Sequence, residues 1–216
     1  TFGISLGAGR VVFGVQNASN IVRTICGSTD LRDGSWHHVA VQRRRSDGFL
    51  WLYVDGTLED SVDGPDGDIS YPDDGVPGNF CSGSCDFSDP FFVIAAEKHD
   101  AGAAYPSYFG LVDEIRLSNS LRYSGNSFTP STQPFVADAN TVGLYHFDEG
   151  AGTQVTDSSN GGLSPGFLSV GGAPEGPQWV SDTPLCGTAS GESFNDVPSD
   201  YWAYNFIETL VGDGVT

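Results

Sequence analysis

The stretch from Asp33 to Gly56, DGSWHHVAVQRRRSDGFLWLYVDG, decides the fold. In its first half Trp36, His38, Ala40 and Gln42 fall on one face, and His37, Val39, Val41 and Arg43 on the other. In its second half Leu50, Leu52 and Val54 alternate with Trp51, Tyr53 and Asp55. Alternation with period two is the mark of a strand whose two faces meet different surroundings. Ser46-Asp47-Gly48 between the halves reads as a hairpin turn, where glycine takes the positive φ that side chains resist. Asp55-Gly56 reads as a second turn into a third strand, Thr57 to Ser61.

Working outward, the composition agrees. The chain has 216 residues, 38% hydrophobic, with 29 glycines and 12 prolines, enough for one β-sandwich with a real core plus a remnant of something else. Its net charge of −19 offers no basic face for phosphates, so nucleic acid is not an expected partner. No apolar run is long enough for membrane insertion. An acidic surface suits an extracellular, soluble protein, either through solubility alone or through cation binding. Cys26, Cys81, Cys85 and Cys186 allow three pairings, and an even count in an acidic β-rich chain favours an oxidising compartment. Cys81 and Cys85, close together in a Gly/Ser-rich loop, are the disulfide candidate. The chain contains no methionine and begins inside a strand pattern, so a piece of a longer polypeptide is expected.

The same hairpin carries a resemblance. DGSWHHVAVQRR and GFLWLYVDGTLEDS, followed by YFGLVDEIRLSNSLRY at Tyr108 to Tyr123, resemble the laminin-G-like and pentraxin-like domains of concanavalin A-like type. The resemblance covers about residues 1–150. It implies an all-β, two-sheet antiparallel jelly-roll sandwich, often with calcium at its rim.

The flanking sequence fits. Phe2–Leu6 and Arg10–Val15 form a hairpin across Gly7-Ala8-Gly9, and Ile21–Ile25 is a short strand. The family's usual strands before this point are missing, which exposes a sheet edge that a partner or a later segment must cover. Residues 62–90 form a long acidic loop of the kind that is functional or disordered. Phe91–Glu97, Phe109–Leu117 and Thr141–Phe147 read as strands, the last expected to pair back near the N-terminal strands. Residues 151–190 read as a Gly/Ser/Pro-rich tail or linker, with Phe167-Leu168 and Trp179-Val180 as points that could pin it. Residues 191–216 change character: Trp202, Phe206, Ile207 and Leu210 lie at helical spacing, predicting a short C-terminal helix capped by Ser199 or Asp200. FNDVPSDYWAYNFIETLVGDGVT resembles the opening of an S-layer homology module, at Phe194, Asp196, Val197, Pro198, Trp202, Ala203, Ile207 and Leu210. Only a complete module of that kind is expected to reach cell-wall polymer. The resemblance implies a bacterial cell-surface location.

Chemistry narrows the function. A jelly-roll glycosidase needs two carboxylates facing each other across a cleft. Asp113 and Glu114 are neighbours on a strand, as are Asp148 and Glu149 at a strand end, so each pair is expected to point apart. No G-x-S-x-G nucleophile motif occurs. The expectation is therefore no enzyme. His37 and His38 point to opposite faces and cannot chelate together; His99 and His146 are isolated and receive no role. Calcium is the cofactor the sequence points to. Asp63, Asp66 and Asp68 supply carboxylates from a glycine-flexed loop, with Asp113 added through the resemblance. Trp51 and Tyr53 share a face and, with Tyr105, are the candidate ligand-binding aromatics. The expected function is a lectin-like module binding glycan or surface protein. The alternatives are a structural subunit that self-associates through strand edges, and a jelly-roll glycoside hydrolase.

Overall fold

The structure, a computed structural model, describes residues 1–71, 92–96, 106–168 and 177–184, and the strand backbone of 204–211. Among these residues it is all-β, with no helix. Strands β1 (Phe2–Gly7), β2 (Arg10–Gln16) and β3 (Val22–Cys26) make a three-stranded antiparallel sheet in that order, with β1 on its outer edge. A six-stranded sheet holds β4 (Trp36–Arg43), β5 (Leu50–Val54), β6 (Thr57–Val62), β7 (Leu111–Ser118), β8 (Thr141–Tyr145) and β11 (Tyr204–Val211), in the order β6-β5-β4-β11-β7-β8. A two-stranded ribbon pairs β9 (Gln154–Val155) with β10 (Gly166–Phe167).

The central hairpin forms as its alternation dictates. Val39, Val41, Leu50, Leu52 and Val54 turn one face of the large sheet onto Val11, Phe13, Val15, Ile25 and Leu31 of the small one, giving a buried sandwich core. Each such side chain contributes about 1.5–3 kcal/mol by leaving water. At the sheets' rim, Glu59 of β6 accepts from the amides and hydroxyls of Ser28 and Thr29, joining the two sheets through one carboxylate.

Two irregular segments cover the large sheet, and adjacent residues at the end of β4 hold them. Gln42 and Arg43 alternate in direction and are both buried. The Gln42 amide faces residues 119–137: Oε1 accepts from the Arg122 and Tyr123 amides at 2.8 and 2.9 Å, and Nε2 donates to the Tyr123 carbonyl at 3.0 Å. Arg43 faces the other way, its Nη2 donating to the carbonyls of Pro65 and Gly67 at 2.8 Å each. Close approach follows at both turns of the hairpin. A Cβ on Gly56 would meet the Phe128 carbonyl oxygen at 2.1 Å, and one on Gly48 the Pro65 carbonyl oxygen at 2.3 Å. Both glycines hold φ of +75°, so no other residue suits either place.

Several elements differ from the sequence reading. Phe92–Ala96 is not a strand: it has no ladder partner and Ala95 turns the chain at φ 65°, although Ile94 still packs on the Ile115 cluster. β8 pairs with β7 at the far end of the large sheet, not with the N-terminal strands. Tyr204–Val211 runs as a strand where helical spacing predicts a helix. Its run of Tyr, Phe, Ile, Thr and Val favours strands intrinsically, and the backbones of β4 and β7 offer ladder partners on both sides. Leu168 and Trp179 pack against Ile115, Tyr145 and Val155, whereas Phe167 is exposed.

His37 clamps the start of the hairpin to its end. Its buried ring bonds Asp55 through Nδ1 at 2.8 Å and Asp33 through Nε2 at 3.0 Å. The bond to Asp55 raises the imidazole pKa, burial opposes this, and Asp33 adds to the rise. Asp55 is lowered overall: burial pushes it up, but the bonds from His37 and the His38 amide outweigh that. Asp33 is lowered by the Ser35 amide and then by His37.

Two predictions follow from these contacts. Gln42→Ala removes three bonds to a part-buried backbone and lowers unfolding free energy by about 2–4 kcal/mol in urea titration. For His37, a folded pKa above the ordinary value of about 6.5 means that its contribution is complete below that pH and lost as pH rises through the raised value. The carboxylates act in the opposite sense, losing their contribution as pH falls through their lowered values. Urea midpoints of wild type and His37→Gln should therefore differ most between about pH 4 and 6.5 and converge in alkali.

Candidate functional site

The site begins at a break in the alternation of β7. Adjacent strand residues point to opposite faces unless the ladder slips. Here it slips: Phe206 pairs with Asp113 while Glu208 pairs with Arg116, one extra residue on β7, and Glu114 sits at φ 51°. A positive φ at a non-glycine residue inside a strand is strained and marks a bulge. Both carboxylates at the bulge are buried, Asp113 at 7% exposure and Glu114 at 2%.

Each carboxylate is tied down. Glu114 Oε2 accepts from the Phe135 amide at 3.0 Å, and Oε1 bonds His146 Nδ1 at 2.6 Å. Asp113 accepts from the Glu114 amide at 2.9 Å and from the Thr183 hydroxyl at 2.8 Å. Burial raises the pKa of both groups, and these bonds pull them partly back. An ionised carboxylate can only accept, so with Glu114 ionised the bond between them is donated by His146 Nδ1.

His146 opens onto a concavity of about 290 Å³, lined also by Asp148, Glu149, Thr156 and Ser158. Glu149 Oε1 accepts from the Thr156 amide at 2.7 Å. Its Oε2 is shielded from solvent and meets no donor among the described residues. A shielded acceptor without a donor carries a desolvation cost of about 1–3 kcal/mol. The surface thus offers carboxylate and imidazole acceptors beside two hydroxyl side chains, a set suited to a polyhydroxylated ligand. Sequence reasoning gave His146 no role. Its partner lies 32 positions away on the neighbouring strand, and only the pairing of β7 with β8 brings the two together.

The other candidates fall elsewhere. Trp51 is half-buried at the opposite end of the sheet; its ring lies 4.6 Å from Phe49, with Arg44 Cζ 5.1 Å above it. Tyr53 is not an exposed platform: it is fully buried, its hydroxyl donates to Gly125 O at 3.0 Å, and Phe128 and Tyr123 cover its ring. The covering segment shows no strand or helix period, so its aromatic inner side, Tyr123 and Phe128, is not announced by the sequence. His38 is structural, its ring edge-on to Tyr123, Phe128 and Phe135. Tyr105, Cys81 and Cys85 lie outside the described residues, and Cys26 is exposed on β3.

Asp63, Asp66 and Asp68 are exposed, while the Pro65 and Gly67 carbonyls of their loop are engaged by Arg43. Among the described residues no three His, Cys, Asp or Glu side chains converge as a metal centre. Asp113, the other calcium candidate, accepts from the Thr183 hydroxyl, and no step is assigned to calcium.

Comparison with curated proteins and with solved structures finds no match. A family model described as the concanavalin A-like lectin/glucanases superfamily, of laminin-G type, matches residues 1–124, from β1 through β7 to the Gln42-bound turn at Arg122-Tyr123. With that match over more than half its length and an antiparallel two-sheet sandwich, the chain belongs to the concanavalin A-like lectin/glucanase superfamily.

Proposed function

We propose that this chain is a lectin-like module that binds neutral, hydroxyl-rich glycans at the His146 pocket, on the outside of a bacterial cell. The observation that carries the reading is the concavity at His146, lined also by Asp148, Glu149, Thr156 and Ser158. A sugar hydroxyl donates to a carboxylate oxygen, and a second can donate to Nε2 of His146. Asp148 and Glu149 make the pocket acidic, so sulfated or carboxylated sugars are repelled. The superfamily supports a carbohydrate- or protein-binding role, and the resemblance of Phe194–Leu210 to the opening of a wall-anchoring module favours the cell-surface setting.

Hydrolysis is not part of this reading. Both oxygens of Glu114 are engaged, one by a backbone amide and one by His146, which makes it a strut for the imidazole rather than a free general acid.

A glycan array probed with labelled chain, followed by titration calorimetry on the strongest hit, tests the proposal. Binding to neutral glycans is expected, weakened at least about tenfold by His146→Ala and by Glu149→Ala, the size expected for losing one or two hydrogen bonds to a buried partner. Trp51→Ala should leave it unchanged. Silence across the array, or equal affinity in both pocket variants, sinks the assignment.

A further inference from the structure

The turn that follows Ser158 holds a reactive pair. Asn160 precedes Gly161, and no other asparagine in the sequence is followed by glycine. Gly162 donates its amide to the Ser159 carbonyl at 3.1 Å, so Asn160 and Gly161 are the two inner residues of the turn. Both are exposed. The Gly161 amide meets no acceptor among the described residues, and glycine has no Cβ to crowd its nitrogen. The turn has one outer tie: Asn160 Nδ2 donates to the Asp138 carbonyl at 2.8 Å. On its inner side Asp157 accepts from the Ser159 and Ser164 amides at 3.0 and 3.2 Å. Ser158 itself donates its amide to the Leu144 carbonyl at 2.7 Å and lines the His146 concavity.

We propose that Asn160-Gly161 is a self-modification site, and that its reaction unties this turn. The Gly161 nitrogen, deprotonated by solvent, attacks Asn160 Cγ. The new C–N bond closes a succinimide ring, and the side-chain nitrogen leaves as ammonia, regaining the proton. Water then opens the ring. Attack at the side-chain carbonyl leaves aspartate; attack at the Asn160 main-chain carbonyl leaves isoaspartate. The balance is one water consumed and one ammonia released, with no oxidant and no enzyme. Either product puts a carboxylate where Asn160 has a donor. A carboxylate only accepts, so the tie to the Asp138 carbonyl is lost and two acceptors face each other. Isoaspartate also inserts a methylene into the main chain. The chain after Ser158 is thereby released, and that wall of the concavity loosens as the molecule ages.

Incubation of the intact chain in mildly alkaline buffer, followed by peptide mapping with electron-transfer fragmentation, tests this. The peptide carrying Asn160 should gain aspartate and isoaspartate at least about tenfold faster than those carrying Asn119, Asn126 and Asn140, whose next residues bear a Cβ. Gly161→Ala should slow the reaction at least about tenfold. A Cβ at Gly161 meets only the Leu163 side chain, at 3.3 Å, and Leu163 is exposed, so the variant keeps its fold. An Asn160 rate no faster than at the other three sites, or undiminished in folded Gly161→Ala, overturns the site. If that variant does not fold, the comparison of asparagines in the wild type decides alone. Asn160→Asp is one of the products. Its Ser158 amide should exchange with deuterium at least about tenfold faster than in the wild type, and equal protection overturns the untying.

Discussion

The structure depends on two adjacent side chains at the end of β4. Gln42 and Arg43 are buried polar groups, and buried polar groups are tolerable only when bonded. Each finds its partners in the backbone of a segment that has little ladder of its own: residues 122–123 for Gln42, residues 65 and 67 for Arg43. One dipeptide thus fixes a cover on each face of the central hairpin. The aromatic inner side of one cover, Tyr123, Phe128 and Phe135, then packs on His38 and Tyr53. Without the Gln42 amide that face of the sheet has no geometric reason to be roofed at this register.

The same cover reaches the site. Phe135 donates its amide to Glu114, Glu114 holds His146, and His146 faces the concavity. The pocket therefore rests on the bulge of β7, on the cover and on β8 together. It also lies beyond residues 1–124, the part of the chain that the superfamily match spans. Membership explains the scaffold, and the loop after β8 supplies the individual chemistry.

What was legible in the sequence is what has a period or a fixed turn. The alternation of Trp36–Arg43 and Leu50–Val54, the turns at Gly48 and Gly56, and the Asp113–Arg116 strand could all be read directly, and the fold class came with them. The site was not legible, for physical reasons that differ by residue. Glu114 adopts a positive φ without the glycine or asparagine that usually announces one. His146 gains meaning only from a partner 32 residues distant. Tyr53 alternates like a surface residue, yet a segment 72 residues later covers it. Phe92–Ala96 is apolar enough for a strand, but Ala95 turns the chain, and short apolar runs such as Tyr204–Val211 do not separate helix from strand by pattern.

The Gln42 clasp joins positions 80 and 81 residues apart in the chain. Closing so long a loop is slow, because its entropy is lost before the contact repays it. The hairpin β4–β5 and its turns are local and form early. The roof over them closes late. Until it does, His38 and Tyr53 face water beside an unsatisfied amide, and a nascent chain carries a sticky aromatic sheet. That delay sets the interval during which a chaperone has something to hold.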